Sequence, residues 1–420
     1  MDQSVRRSVT AVVTFGGERL GEVGPFPVDH PRWQEVGPVA RGLEQRLGVP
    51  VLVLRLVSVE GGEAGRGGHV VYHAEALRRP EAVLEEGSVR LDEDPLRAAW
   101  ATADGLRAAL AWAEEALRGC GRPATGPAEQ VKTWNLSGLV RIPTADGPAW
   151  LKTTPPFGTD EHRPIALVAS VDPALVPGVI AAAPGRLLLE HVPGVDCWGL
   201  PEDAMLDAVG RTVAVQAGLA AALAADPASH GLRDRSPRRV LAQARELLPR
   251  LDDLSAEEHG RARALLDGLP AAIDELDACG LPLTLVHGDF HPGNYRSDGC
   301  ATVLVDFSDA FFGHPAFDGL RPQDFLGEQR WADVRTVWAA AWSAAAPGSD
   351  PLRALELAAP LMHLGYAVRY QEFLDGIERS ERIYHEGDPA SEVRAALAAA
   401  AGLGTDRRQG APIGLSAPGR

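Results

Sequence analysis

The chain has 420 residues, of which 45% are hydrophobic and 23% are charged, a composition typical of globular proteins. This length exceeds what one ordinary hydrophobic core supports. We therefore expect two or three folding units. A net charge of −16 argues against non-specific nucleic-acid binding. We find no apolar run that we expect to span a bilayer, no secretory signal, and no metal-ligand spacing among the four cysteines. These observations favour a cytoplasmic protein without a nucleic-acid or membrane partner.

The first 118 residues have the pattern of a small α/β domain. β-Branched alternation predicts strands, and helical apolar spacing predicts helices. The strands are 9–15, 49–59 and 69–73, and the helices are 33–47 and 95–118. Residues 119–128 are rich in Gly and Pro, which predicts a linker.

Residues 129–194 are predicted to form an antiparallel sheet. A hairpin around the turn dipeptide Asp146-Gly147 is its strongest signal, and Arg186–Gly194 is the expected last strand and hinge. Residues 195–401 are predicted to be mainly helical, with helices at 202–225, 238–251, 256–278, 328–346, 351–379 and 390–401. The tail, 402–420, has almost no apolar content and is predicted to be disordered.

The segment between Leu283 and Asp318 is the most informative part of the sequence. One short apolar run leads into L-V-H-G-D-F-H-P-G-N, and a second, V-L-V, ends in Asp306. Carboxylates and an amide at the ends of two short strands are suited to holding a magnesium nucleotide. The alternation His287-x-Asp289-x-His291 would also suit a transition metal, so a metal-dependent hydrolase stays open, although Pro-Gly follows directly.

The pattern H-x-D-x-x-x-x-N followed by V-D-F, over residues 287–306, resembles the catalytic and metal loops of the aminoglycoside phosphotransferase family. These are small-molecule kinases of the protein-kinase-like fold. The resemblance covers about 129–401 and implies an α+β, bilobal fold. An antiparallel-sheet N-lobe (129–194) would precede a mainly helical C-lobe (195–401). It also implies ATP or GTP as phosphoryl donor, together with Mg²⁺.

The same resemblance implies roles for individual residues. In the C-lobe they are Asp289 as catalytic base, Asn294 and Asp306 as Mg²⁺ ligands, and His287 and Asp318 as structural support of the loop. In the N-lobe they are Lys152 for the α/β-phosphates, Glu161 as its helix partner, Ser137 and Gly138 in a phosphate-facing turn, and Glu190 and Val192 as backbone contacts of adenine. Asp309 is expected to be solvated.

The order of elements in residues 1–118 resembles a Nudix domain. Residues 41–49, R-G-L-E-Q-R-L-G-V, lie in the register of the end of a Nudix box. Gln45 and Arg46 occupy positions where that family has metal-binding glutamates, so we expect this domain to be inactive. An unrelated α/β extension fits the pattern equally well.

Only eleven residues separate Asp306 from Asp318. This interval is too short for the long segment on which protein substrates of kinases dock. We therefore expect a small-molecule hydroxyl acceptor, such as an antibiotic, a sugar or an amino alcohol. The alternatives are a catalytically silent kinase-like nucleotide-binding module, whose signature would be loss of Asp289 or Asp306, and the metal-dependent hydrolase.

Overall fold

The structure, a computed structural model, describes residues 7–198 and 202–409. Within this part of the chain there are two compact units. Unit 1 contains residues 7–166, 176–193 and 372–386, and unit 2 contains 167–175, 194–371 and the residues from 387 onwards.

The strands and helices follow one another in chain order. The strands are β1 (Arg7–Phe15), β2 (Glu18–Val28), β3 (Val51–Glu60), β4 (His69–Ala76), β5 (Glu129–Trp134), β6 (Ser137–Ile142), β7 (Ala149–Thr153), β8 (Val179–Ala183), β9 (Arg186–Leu189), β10 (Val195–Asp196), β11 (Asp234–Arg235), β12 (Thr284–Val286), β13 (Tyr295–Ser297), β14 (Thr302–Leu304) and β15 (Phe311–Gly313). The helices are α1 (Gly37–Leu47), α2 (Ala103–Gly119), α3 (His162–Val171), α4 (Glu202–Ala225), α5 (Pro237–Leu247), α6 (Ala256–Ala278), α7 (Ala316–Leu320), α8 (Glu328–Ala345), α9 (Pro351–Gly376) and α10 (Asp388–Gln409).

The first sheet of unit 1 has the strand order β2-β1-β4-β3. β1 and β4 pair in parallel, and the other neighbours are antiparallel. Alternate residues of β1, such as Val9 and Val13, pack with Leu43 of α1 in one core. The sequence analysis missed β2, because Pro25 and Pro27 interrupt its pattern. Prolines are tolerated there because β2 is an edge strand.

The second sheet of unit 1 is antiparallel, with the order β5-β6-β7-β9-β8. Its Val140 and Leu151 share one hydrophobic cluster with Trp100, with α2, and with Leu52 and Leu54 of β3. The predicted boundary at 119–128 therefore does not separate two cores. Helix α2 buries its apolar face against the strands on both sides of that segment.

Two further sets of hydrogen bonds join these sheets within unit 1. The edge strand β5 is covered by residues 34–36, since Thr133 donates to the carbonyl of Gln34 at 3.0 Å. Residues 377–385 add a second connection. The Leu56 N–H donates to the Glu381 carboxylate at 2.9 Å, and Asn135 Nδ2 donates to the Glu381 carbonyl at 3.1 Å.

Helix α4 is the central helix of unit 2, packed against β12 and α8. Contrary to the expectation from sequence, the stretch Asp203–Ala225 is long and apolar enough to cross a membrane by length and composition. Half of its most apolar window is buried in the structure. Thr212 and Gln216, both buried, make hydrogen bonds inside the unit. These features are typical of a core helix.

Unit 2 also contains two three-stranded sheets, ordered β10-β13-β14 and β11-β15-β12. They carry the 283–318 segment, so its polar side chains lie at strand ends as expected. Helix α10 continues to Gln409, which makes the predicted disorder from Gly402 wrong up to residue 409. Residues 410–420 of that predicted tail lie outside the described residues.

Candidate active site

The loop over residues 287–294 begins where β12 ends, and Asp318 fixes its start. The N–H groups of His287 and Gly288 donate to the Asp318 carboxylate at 2.8 and 3.1 Å, as the sequence predicts. Gln216 Nε2 adds a third donor at 2.8 Å. Gly288 has a φ of 84°, and a Cβ there would lie 2.3 Å from the Asp309 carbonyl oxygen. Only glycine fits this turn.

The Asp318 side chain is buried at the start of α7. Burial raises the pKa of its carboxyl to about 7, and the three N–H donors oppose this only in part. All three donors are neutral groups. Asp318 therefore has the environment of a structural acceptor that holds the loop in place.

Asp289 has a different environment, since its carboxylate receives hydrogen bonds on both oxygens. Arg321 Nε and Nη2 donate to Oδ1 at 3.1 and 3.0 Å. Asn294 Nδ2 donates to Oδ2 at 3.0 Å, and His291 Nε2 lies 3.2 Å from it. Burial disfavours ionisation, but the electrostatic effect of His291 and Arg321 outweighs it and holds the pKa of Asp289 well below its usual range. The Asp289 side chain is 28% exposed, so it remains accessible.

The two histidines of the loop are held by protein groups. His287 Nε2 contacts the Val305 carbonyl at 3.1 Å, and its Nδ1 accepts the Asp289 N–H at 3.3 Å. His291 Nδ1 accepts the N–H of Gly293 at 3.0 Å. These contacts support the proposed packing role of His287. Across residues 7–198 and 202–409 there is no group of three His, Cys, Asp or Glu side chains suited to a metal, so the H-x-D-x-H hydrolase receives no support.

Asn294 and Asp306 are brought together by the backbone. The Val305 N–H donates to the Asn294 carbonyl at 2.9 Å, which places the residue after β14 beside the 287–294 loop. Asn294 uses its Nδ2 on Asp289, which leaves the side-chain Oδ1 as its acceptor atom. Oxygen donors of this kind fit Mg²⁺.

Asp306 has an unusual backbone conformation, with a φ of 69°. A non-glycine residue in this left-handed region carries strain, and such residues cluster at functional sites. The Ser308 hydroxyl donates to its Oδ1 at 2.8 Å. Asp309, expected to be solvated, instead accepts a hydrogen bond from Arg369 Nε at 2.7 Å. That expectation was wrong, because the sequence does not show that Arg369 of α9 faces this turn.

Lys152 lies on β7, between β6 and β9 in the middle of the five-stranded sheet of unit 1. Its Nζ is 2.7 Å from Glu161 Oε1, and both side chains are almost fully buried. Glu161 directly precedes α3. The predicted ion pair is thus present. Its burial explains why a lysine is tolerated inside the sheet, since a buried charge needs a partner.

The turn between β5 and β6 is occupied by internal contacts. The Gly138 N–H donates to Thr153 Oγ1 at 3.0 Å, and a Cβ at this position would meet both Thr153 and Trp100. The Ser137 hydroxyl accepts from Trp134 Nε1 at 3.0 Å. The close approach of Thr153 Oγ1, with Trp100 behind it, therefore accounts for the glycine, and the expectation of a phosphate-facing Gly138 is corrected.

The predicted hinge coincides with a unit boundary, because unit 1 gives way to unit 2 between Pro193 and Gly194. The Glu190 N–H donates to the Gly178 carbonyl at 2.8 Å, and its side chain pairs with Arg122. An adenine contact at this residue would consequently use its carbonyl oxygen. The N–H of Val192 stays the candidate donor.

Sequence reasoning missed Arg321. Its guanidinium lies over the rings of Tyr366 and Phe325, at 4.4 and 4.7 Å, and also donates to Asp324 at 3.1 Å. An arginine in the apolar run A-F-D-G-L-R-P was the available signal. A buried guanidinium requires a carboxylate partner, and Asp289 is that partner.

The phosphotransferase enzyme family (APH) has a model that matches residues 139–355, just over half of the chain. The chain belongs to this family. It is therefore a small-molecule kinase, and the α+β, protein-kinase-like fold expected from the 287–306 pattern is confirmed. The matched range includes Lys152, Glu161 and the whole 283–318 segment.

Three of the solved structures that are similar to this chain bear the names of different phosphotransferases and kinases. A macrolide 2'-phosphotransferase type I is 19% identical (TM-score 0.49), with 69% of this chain and 97% of that chain covered. A choline kinase from Cryptosporidium parvum Iowa II is 10% identical (TM-score 0.47), with 67% of this chain and 90% of that chain covered. A spectinomycin phosphotransferase in complex with ADP and spectinomycin is 9% identical (TM-score 0.44), with 69% of this chain and 98% of that chain covered. Similarity at this level does not choose among acceptors. No curated protein matches the chain.

None of these comparisons supports the Nudix resemblance of residues 1–118, and we withdraw it. Of the two residues at the metal positions, Arg46 lies with its guanidinium 4.1 Å from the centre of the Phe26 ring. Residues 1–118 are instead an extension that lies before the matched range and shares a hydrophobic core with the second sheet.

Proposed function

We propose that the protein transfers the γ-phosphoryl group of ATP, or of GTP, to a hydroxyl group of a small molecule in a Mg²⁺-dependent reaction. The acceptor class is an antibiotic, a sugar or an amino alcohol, and the expected compartment is the cytoplasm, where the nucleotide is. The observation that carries this proposal is the Asp289 carboxyl group, which is partly exposed and bonded to Asn294 and Arg321.

Phosphoryl transfer depends mainly on positioning and on charge neutralisation. Asp289 orients the acceptor hydroxyl toward the γ-phosphorus. As the new O–P bond forms, the bond to the β–γ bridging oxygen breaks and the nucleoside diphosphate leaves. The hydroxyl proton passes to Asp289. Because the pKa of this carboxyl is held low, it is a weak base, and we expect proton transfer to occur late, when the acceptor oxygen has become acidic.

The Asn294 Oδ1 and the Asp306 carboxylate are the groups that would hold Mg²⁺. When bound, the metal ion neutralises charge on the phosphate oxygens. The Ser308 hydroxyl on Asp306 Oδ1 fixes the orientation of that carboxylate. The donor set contains only oxygen atoms, which suits a hard cation.

In unit 1, Lys152 would contact the α- and β-phosphates, and Glu161 fixes the position of its ammonium group. The Glu190 carbonyl and the Val192 N–H are the candidate adenine contacts. Ser137 remains a weaker candidate for a phosphate contact, because its hydroxyl is already bonded to Trp134.

The test is a mass-spectrometric screen of the full chain with ATP or GTP, Mg²⁺ and a library of antibiotics, sugars and amino alcohols. We expect one compound class to gain the mass of a phosphoryl group, and EDTA to abolish the gain. Saturable nucleotide binding with no product from any acceptor would favour the silent binding module instead. Hydrolysed library compounds without nucleotide would favour a hydrolase.

A further inference from the structure

Unit 1 contains a cavity of about 780 Å³ that the proposed phosphotransfer does not use. It lies between residues 95–109, the 153–160 loop, the turn at 184–186 and residues 376–381. Its volume is in the range of small-molecule sites, which is roughly 300–1,000 Å³. Most of it is formed by residues outside the range that matches the family.

The lining is mainly apolar and aromatic, with Trp100, Trp134 and Phe157 around it. The charged side chains at its edge already interact with other protein groups. Arg97 pairs with Glu378 at 3.0 Å, Asp160 lies 3.0 Å from His162 Nδ1, and the Arg186 guanidinium lies over Trp112 at 5.1 Å. Arg97 and Asp160 thus have polar partners, whereas Arg186 has an aromatic one and its Nε has no hydrogen-bond partner in the described part of the chain. Because the lining is otherwise mainly apolar, an uncharged molecule fits this interior.

Two polar groups of the lining are incompletely bonded, the Nε of Arg186 and the carboxyl of Glu381. Glu381 is 2% exposed, and its Oε1 accepts the Leu56 N–H, whereas its Oε2 has no hydrogen-bond partner in the described part of the chain. Burial raises the pKa of this carboxyl to about 8. At neutral pH it is then mostly protonated, and because Oε1 is an acceptor, the proton belongs on Oε2. Buried polar atoms without a partner are rare and call for an explanation.

The cavity also borders the Lys152–Glu161 pair. Thr153, which follows Lys152, and Asp160, which precedes Glu161, both line it. Thr153 Oγ1 is in addition the acceptor of the Gly138 N–H. A molecule in the cavity would restrain the 153–160 loop and, through it, both partners of the ion pair.

We propose that this cavity is an effector site for an uncharged, mainly apolar small molecule with a hydrogen-bond acceptor, and that its occupancy favours the nucleotide-binding arrangement of Lys152 and Glu161. The site is formed jointly by residues 95–109, by the loop before α3, and by residues 376–381. Its existence does not depend on the proposed acceptor chemistry.

The test uses the full chain and two fluorescent probes with the same ring system. 6-Propionyl-2-(dimethylamino)naphthalene is uncharged and has a ketone oxygen as hydrogen-bond acceptor, and 1-anilinonaphthalene-8-sulfonate carries a charge. We expect saturable binding of the uncharged probe at one site per chain, and binding of the sulfonate at least about tenfold weaker because its charge would lose its hydration in a mainly apolar interior. Equal affinities, or no saturable binding of the uncharged probe, would overturn the proposal.

A matched pair of variants locates the site. Ala108 lines the cavity and is exposed on α2, whereas Ala111 is exposed on the same helix and does not line it. Ala108→Trp should weaken binding of the uncharged probe by at least about tenfold by occupying the cavity, and Ala111→Trp should leave it unchanged. Both should melt at the wild-type temperature. Equal effects of the two substitutions would place the probe elsewhere and overturn the assignment.

Coupling is measured by titrating Mg-ADP with and without the uncharged probe. Since linkage is reciprocal, we expect each ligand to raise the affinity of the other by the same factor, about fivefold. Identical Mg-ADP affinities would overturn the effector role. Failure of Mg-ADP to bind at all would contradict the proposed function, while probe binding would still establish the site.

Discussion

Asp289 and Asp318 are two carboxylates of one unit with opposite electrostatic environments. Asp289 contacts His291 and the Arg321 guanidinium, which together keep its pKa low, whereas Asp318 is bonded to neutral N–H groups and has a pKa raised by burial to about 7. The first stays ionised and partly exposed, and the second is buried. This difference separates a residue that can act on a substrate from one that holds the loop in place.

The largest effect is expected at Asp289. Asp289→Ala removes the group that we propose to orient the acceptor, so kcat should fall by at least about 10³-fold, measured with an acceptor found in the screen. Asp324→Ala is the control, since Asp324 also pairs with Arg321 but is more exposed. It should change kcat by no more than about threefold. Full activity of Asp289→Ala would contradict the assigned role.

Asp318 should make stability depend on pH. Its folded pKa, about 7, lies above the unfolded value of about 3.9, so the folded state binds the proton more tightly. Its contribution to the free energy of unfolding is therefore fully present below pH 4 and is lost as pH rises to about 7, by up to about 4 kcal/mol.

This contribution is measured as the difference between wild type and Asp318→Asn in urea unfolding at several pH values. Subtracting the variant removes the titration of all other groups. We expect the difference to decrease from pH 4 to 7 and to stay level above that. A difference that does not vary with pH would show that Asp318 has an ordinary pKa in the folded state.

Arg321 lowers the pKa of Asp289 together with His291, so removing Arg321 should reduce the difference between the two carboxyls. Arg321→Met deletes one of the groups that lower the pKa of Asp289. The acid side of the pH–rate profile should move to higher pH, and kcat should fall about tenfold to 100-fold with the loss of charged hydrogen bonds. Arg321→Lys keeps the charge, so its profile should stay in place. A shift of equal size in both variants would speak against an electrostatic role.

The smallest effect is expected at Tyr366, whose hydroxyl donates to the Gly288 carbonyl at 2.8 Å. Tyr366→Phe removes this one hydrogen bond but keeps the ring over Arg321. Thermal unfolding should show a loss of about 1 kcal/mol, and kcat should change less than about twofold. A large loss of kcat would mean that the hydroxyl acts on the substrate.

The sequence predicted contacts between residues whose separation along the chain is fixed by a motif. Asp289 and Asn294 lie five residues apart on one loop, and Asp318 reaches the backbone of that loop, so the motif alone was sufficient to predict these contacts. Glu161 followed from elimination, because it was the sole glutamate between Lys152 and Glu190. These are short-range or single-candidate inferences, and the structure contains both sets of contacts.

Long-range packing was not predictable in the same way. Gly138 packs tightly against Trp100, which lies in a different predicted domain, as well as against Thr153, and Arg369 reaches Asp309 from a distant helix. The shared core across 119–128 likewise depends on which face of α2 meets which sheet. A single sequence contains no pairing information for such contacts.

The most direct measurement is NMR of protein labelled with ¹³C at the aspartate carboxyl carbon. Asp289→Asn and Asp318→Asn identify the two resonances by their disappearance. We predict that the Asp318 signal titrates near pH 7 and that the Asp289 signal stays that of a carboxylate from neutral pH down to pH 4. Titration of Asp289 near neutrality, or an Asp318 carboxyl that is already ionised at pH 5, would contradict the separation of a reactive from a structural carboxylate.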